Sequence, residues 1–447
     1  MKSTQGDLTQ GPLRQQIFWF SLPLMFSNLL QVLFNIADVA VVGQFAGSIA
    51  LGSVGSTTTL VTMFTGFLMG MANGVNVLTA LHYGAKSRKE LSATVHSALL
   101  LCAAAGTLLL GIGVLFAEPI LRLLNTKEEL LPGAVLYLRV YFLGMPALGL
   151  YNFGNAVFSA VGDTKRPLRY LSISGAVNIV LNLVFVLGCN MDVAGVATAS
   201  VIAQYLSAFL VVSALFRSTD IYGLRLPELH LDARRAKAIL SIGVPSGVQS
   251  GIFALANLFI QMGVNSFDAV MVAANSAAAN ADNLVYDVMA SFYTACGSFI
   301  GQNYGAKQKE RMRQSYRISV TYSFCFGMGL GLFLLALGPQ FLGLFTKDPA
   351  VAAMGMKRLQ IMSVSYGVSA FMDCTIAASR GLGKSLAPTV IVILGSCLFR
   401  IAWIYTIFAH FRTIPSLYLL YIFSWVLTAI PEILYFRHSF RKLTAEF

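Results

Sequence analysis

The chain has 447 residues, of which 56% are hydrophobic and only 11% charged, with a formal net charge of +12. A soluble domain carries about 25% charged residues, so this composition points to a protein that lives mostly in hydrocarbon. It excludes a nucleic-acid-binding reading of the positive charge, because no basic soluble domain exists to carry one.

Twelve apolar runs follow a polar start, near 17–42, 51–81, 91–117, 131–157, 168–188, 193–217, 237–262, 271–301, 315–342, 352–379, 387–410 and 415–437. Runs of ~20 residues suffice to cross a core ~30 Å thick. They are expected to be helices: a lipid-exposed backbone must satisfy its own hydrogen bonds, and barrel strands are shorter. No small-residue cleavage site follows the first run, so it is expected to remain as the first span.

The chain is also written twice. His82-Tyr83-Gly84-Ala85-Lys86 returns as Asn303-Tyr304-Gly305-Ala306-Lys307, and Thr126-Lys127-Glu128 as Thr346-Lys347-Asp348. Val161-Gly162-Asp163-Thr164 returns as Leu382-Gly383-Lys384-Ser385, while Pro23 and Asn35 pair with Pro245 and Asn257. The offsets are 220 to 222 residues, about half the chain. The expected fold is therefore an all-α integral membrane protein with twelve transmembrane helices in two pseudo-symmetric six-helix bundles. Its parts would be an N-terminus at 1–16, a first lobe at 17–217, a linker at 218–236, a second lobe at 237–438 and a tail at 439–447. Paired bundles of this kind are the architecture of many secondary transporters.

Basic residues set the expected orientation. With the N-terminus inside, the inner segments hold 23 Lys and Arg, from Lys2 and Arg14 to Arg441 and Lys442. The outer segments hold seven: Arg122, Lys127, Arg139, Lys347, Lys357, Arg358 and Arg412. That bias puts both termini in the cytoplasm and the positive charge against anionic membrane lipids.

Polar groups inside spans are costly and therefore informative. Asp38 stands in an otherwise apolar stretch, about four residues short of the outer end of span 1. Asn178 and Asn182, four apart on span 5, share one helix face. Ser200 lies about seven residues into span 6. At 1.5 Å per residue Asp38, Asn182 (about six residues from the outer end of span 5) and Ser200 share a depth to within one turn, with Asn178 a turn deeper on the same face, as a common site requires. Each could instead be a structural hydrogen-bond partner between helices.

The second half does not repeat the set. The positions matching Asp38 and Asn178 are Ile260 and Arg400. Asp287, Asp373 and Arg400 are its candidates, and an Arg in hydrocarbon is expected to meet Asp287 or Asp373. Glu432 reads as an interfacial residue. Enzyme chemistry finds no support. Gly383-Lys384-Ser385 ends like a phosphate loop, but Ala378 occupies the upstream Gly position and no strand precedes it. The five histidines and six cysteines are scattered, so no resident cofactor is expected.

Taken together, these residues resemble the multidrug and toxic compound extrusion family, MATE, of the wider oligosaccharidyl-lipid and polysaccharide exporter fold. The matching pieces are Pro23 and Asp38 in span 1, and the Phe-Asn-Ile-Ala-Asp-x-x-x-Val-Gly pattern at 34–43. They also include Phe299 to Ala306 after span 8 and Arg380 to Lys384 after span 10. The resemblance implies alternating access and antiport of amphipathic organic cations against H⁺ or Na⁺. It gives Asp38, Asn178, Asn182 and Ser200 the look of a cation-coupling site, with Pro23 as a hinge. Family members commonly carry a second carboxylate where this chain has Asn182, so H⁺ is favoured over a Na⁺ held by Asp38, Asn178 and Asn182. The other reading is a lipid-linked saccharide flippase of the same broad fold, which would line its cavity with more than one deep base. Partners are small-molecule substrates and membrane lipids, with a monomer in a bacterial-type cytoplasmic membrane sufficient.

Overall fold

The computed structural model describes residues 7–447, and Lys2, counted above on the inner side, lies outside them. All regular structure among the described residues is helical. Leu13–Val41 (α1) runs into a π-helical turn, Val42–Ala46, and the chain then turns at Gly47 into Gly47–Gly84 (α2). Arg88–Leu123 (α3), Leu131–Phe142 (α4) and Met145–Ala160 (α5) follow, with a 47° bend between the last two. Lys165–Leu183 (α6) passes into a second π-helical turn, Val184–Gly188, and then Asp192–Arg217 (α7).

The second half repeats this order. It contains Ala233–Asn265 (α8), Ala269–Gly305 (α9), Lys309–Ala336 (α10), the short Gly338–Gly343 (α11) and Pro349–Gly381 (α12). Leu386–Val392 (α13), Phe399–Trp403 (α14) and Ala409–Phe411 (α15) form one rod through π-helical turns, before Ile414–Leu443 (α16).

Nine helical runs, ten with the bent α4–α5 pair, are long and apolar enough to span a membrane. Leu13–Gly84 counts there as one run although it turns at Gly47, and α9 is absent from the count. The reason for the second is composition: α9 carries Asn275, Asn280, Asp282, Asn283 and Asp287. With α1 and α2 separated and α9 included, the twelve expected rods are present.

The rods form two compact units. One is built on Phe26–Gly251, the other on Leu8–Met25 with Ile252–Phe447. Their limits fall inside α1, just after Pro23, and inside α8, whereas the sequence reading placed the lobes at 17–217 and 237–438. Water-driven burial is weak between helices in lipid, so close backbone approach has to hold them. In the first unit α3 and α5 show it: a Cβ on Gly106 would meet Met145 O at 2.6 Å, and one on Gly149 would meet Cys102 O at 2.6 Å. In the second unit α12 is the central rod, packed on α9, α10 and α16.

The repeated motifs are helix stops. Lys86 and Lys307, at φ of 54° and 58°, end α2 and α9 in the left-handed region, with Ser87 N donating to His82 O and Gln308 N to Asn303 O. The residue opening each motif also grips an incoming chain segment. Arg235, at the start of α8, contacts His82 and pairs with Glu90. Asn303 Nδ2 donates to Leu8 O at 3.2 Å, and Arg311 Nη2 joins it at 3.1 Å, just ahead of α1. Gly162 and Gly383, at φ of 87° and 78°, form the other repeated turn, which disposes of Gly383-Lys384-Ser385 as a phosphate loop.

Candidate functional site

Asp38 comes from α1, Asn178 and Asn182 from α6, and Ser200 from α7, all within the first unit. The structure joins the four in one network. Asn182 Nδ2 donates to Asp38 Oδ1, and Ser200 Oγ donates to Asp38 Oδ2 at 3.1 Å. Behind them Asn178 Nδ2 donates to Ser200 Oγ at 3.4 Å, and Asn182 Nδ2 also faces Asn178 Oδ1 at 3.4 Å. Asn182 is fully buried, and its Oδ1 has no hydrogen-bond partner among the described residues. A buried orphan acceptor costs about 1–3 kcal/mol, so this oxygen is a place where a donor or a cation would be welcome.

Local sequence explains the convergence. The four-residue spacing puts both asparagines on the face of α6 that packs on α7. Gly175, one turn earlier on the same helix, leaves room for the ring of Phe34, which precedes Asp38 by one turn on α1. The two π-helical turns begin four residues after Asp38 and two after Asn182, and they touch one another. Such turns interrupt the regular hydrogen-bond ladder and re-aim the chain, which is why they recur at functional positions.

Two residues were missing from the sequence reading. Tyr137 and Tyr141 on α4 stack at 5.8 Å and pack in the apolar cluster that holds Val41 and Val42, just beyond Asp38. Their four-residue spacing was the available signal, but tyrosines at that spacing usually just pack.

In the second unit the expected pairing of Arg400 is replaced by another. Arg400 is 2% exposed, donates through Nε to Ser424 Oγ at 3.1 Å, and lies over the rings of Tyr421 and Phe253 at 4.8 and 5.4 Å. Aromatic faces and a hydroxyl thus surround the cation, and neither Asp287 nor Asp373 forms an ion pair with it among the described residues. Asp373 acts on it only at longer range, and Asp287 lies half-buried on α9. The buried ion pair is Arg358 with Asp282. Arg358, assigned above to an outer segment, is 4% exposed inside α12 and also donates to Asn275, while Tyr366 donates to Asp282. Glu432, read as interfacial, is fully buried, with both carboxyl oxygens lacking hydrogen-bond partners among the described residues.

The repeat and the Asp38 network set the frame for comparison with known proteins. A family model, MatE, matches residues 23–184 and again 245–406, so its two copies lie 222 residues apart. The chain belongs to the MATE family. Among curated relatives of this MATE protein is a "Probable multidrug resistance protein YpnP" of Bacillus subtilis, 29% identical over 86% of this chain and 87% of the relative. A "FAD transporter" of Shewanella oneidensis is 25% identical over 88% and 87%. The fold matches that of a multidrug resistance MATE transporter solved in an outward-facing conformation, with a TM-score of 0.91, 21% identity and 99% of each chain covered. The family is one of multidrug efflux transporters, and the flippase reading is not favoured.

Proposed function

We propose that this MATE protein is a secondary active exporter that exchanges H⁺ for amphipathic organic cations by alternating access, with Asp38 as the coupling group. The observation that carries this reading is the seating of the Asp38 carboxylate between Asn182 and Ser200. Both neighbours present donors to the ionised carboxylate, and protonation would remove the charge that strengthens the two bonds. A Na⁺ would instead need oxygens, and of the amide pair only Asn182 Oδ1 is unclaimed. That asymmetry favours H⁺. Protonation of Asp38 would loosen α1 from α6 and α7, and α1 can bend at Pro23, which lacks one backbone donor. The protein would act as a monomer in the cytoplasmic membrane with both termini inside.

The test is purified protein in liposomes with imposed pH or Na⁺ gradients, following ethidium. Wild type should move the dye under the pH gradient, and Asp38→Asn should not. Undiminished transport by Asp38→Asn would move the coupling group elsewhere, with Asp373 and Asp287 next in line. Transport of a flavin nucleotide in place of ethidium would reverse the cargo charge, and the buried Arg358 and Arg400 would then become the residues to examine.

A further inference from the structure

The linker end of the first unit carries a pocket that the coupling site does not use. It has a volume of about 450 Å³ and opens between the start of α6 and the end of α7. Arg166, Tyr170, Ser213, Arg217 and Ser218 form its polar part, and Phe209 its apolar wall. We propose that this pocket binds the headgroup of an anionic phospholipid.

The chemistry is that of a phosphate seat. Arg166 is fixed before any ligand arrives: its Nε pairs with Asp163 Oδ2 at 2.8 Å and its guanidinium lies over Phe158 at 5.4 Å. Its Nη edge is thus held for bidentate contact with a phosphate. The guanidinium of Arg217, the exposed last residue of α7, has no hydrogen-bond or ion-pair partner among the described residues. The acid in the pocket, Asp220, keeps its charge but is held by Tyr222 and Ser218, which donate to its Oδ2 at 2.9 and 3.4 Å. Carbonyls at the end of α7, which would repel an anion, are partly covered: Arg225 Nη1 donates to Phe216 O at 3.4 Å.

The apolar wall decides between a lipid and a free anion. Phe209 is 67% exposed and stands two turns from Arg217, and Tyr205 and Ile202 extend the same exposed stripe along α7. A glycerophospholipid would place its phosphate on the arginines and its acyl chain along that stripe. Inorganic phosphate would gain nothing from it.

Native mass spectrometry of the full chain, titrated with phosphatidylglycerol and with phosphatidylcholine of the same acyl chains, tests the assignment. Wild type should prefer phosphatidylglycerol, and Arg217→Ala should weaken that lipid about fivefold, the worth of one interfacial base. Binding of phosphatidylcholine, which carries the same phosphate but an offsetting choline cation, should be weakened less. Arg441→Ala, which removes an exposed charge from the second unit, should leave both lipids unaffected. Phe209→Ala should weaken both lipids. The proposal is overturned if Arg217→Ala binds phosphatidylglycerol like wild type or if Arg441→Ala loses as much. Full displacement of the lipid by millimolar inorganic phosphate would likewise overturn it, making this a simple phosphate site.

Discussion

The ring of Phe34 fills the space that a side chain on Gly175 would need: a Cβ there would lie 1.9 Å from Phe34 Cε2. This contact sets the approach of α1 to α6 one turn before Asp38 and Asn178. Gly175→Ala should therefore push α1 outward, at a cost of about 1–3 kcal/mol for an overpacked helix contact. The expected result is a lower thermal midpoint together with weaker dye export. Adding Phe34→Ala should restore the midpoint. A Gly175→Ala protein that is as stable and as active as wild type would show that α1 is not seated by this pair.

The Arg358–Asp282 pair offers a cleaner stability measurement, because its partners are few and named. Arg358→Met leaves the Asp282 carboxylate without its counter-charge and takes the Arg358 donor from Asn275. Breaking a buried pair in this way costs about 3–5 kcal/mol, and the lower end applies because the Asp282 side chain is 22% exposed. Arg358→Met with Asp282→Asn should recover much of that loss. The readout is thermal unfolding of both variants in detergent. If the double variant is no more stable than the single one, the two charges are not coupled.

Much of this architecture was legible in the sequence, and for identifiable reasons. Apolar run length and the 220–222 residue offset report directly on spans and repeats, because lipid penalises any exposed polar backbone. The Asp38 cluster was legible because isolated polar residues at matching depth are rare. Arg358 was not, since it falls near the start of its span, where a base normally marks the interface, and only the fold reveals that α9 supplies Asp282 and Asn275. Its repeat counterpart at an offset of 221 is Tyr137, packed with Val41 and Val42 just beyond Asp38, so the two halves use one position for different chemistry. The partner of Arg400 was misjudged because charge pairing was weighed and ring faces were not. Where α1 and α8 change units depends on tertiary packing, which no local pattern encodes.

The linker makes a pH-dependent contact outside the spans. Ser92 on α3 donates to Glu228 at 2.5 Å, and this bond, with the positive groups Arg88 and Arg225 nearby, holds the Glu228 carboxyl below its ordinary value of 4.5. A depressed value means the contact contributes fully above pH 4.5 and is lost as pH falls through the lower folded value. Hydrogen exchange of residues 218–232, corrected for intrinsic rate, should therefore be slower in wild type than in Glu228→Ala at neutral pH. The two should converge in acid below the folded value. A difference that persists there would assign the protection to other contacts, such as Asp232 N on Ser97 Oγ at 3.0 Å.

The ion preference can be tested at Asn182. In place of the amide that donates to Asp38, Asn182→Asp would set a second carboxylate against the first in a fully buried position. Two such charges repel strongly in a low-dielectric site, and a bound cation is the direct relief. The variant should become Na⁺-responsive: its thermal midpoint should rise with NaCl but not with choline chloride, whereas wild type should respond equally to both. Binding to the folded state alone gives about 2.7 kcal/mol at a hundredfold excess over Kd, several degrees in a midpoint. Dye export by the variant should likewise gain a dependence on the Na⁺ gradient. Equal responses to the two salts in Asn182→Asp would mean that positions 38 and 182 do not share an ion, and the hydrogen bond between them would then be a structural tie between α1 and α6.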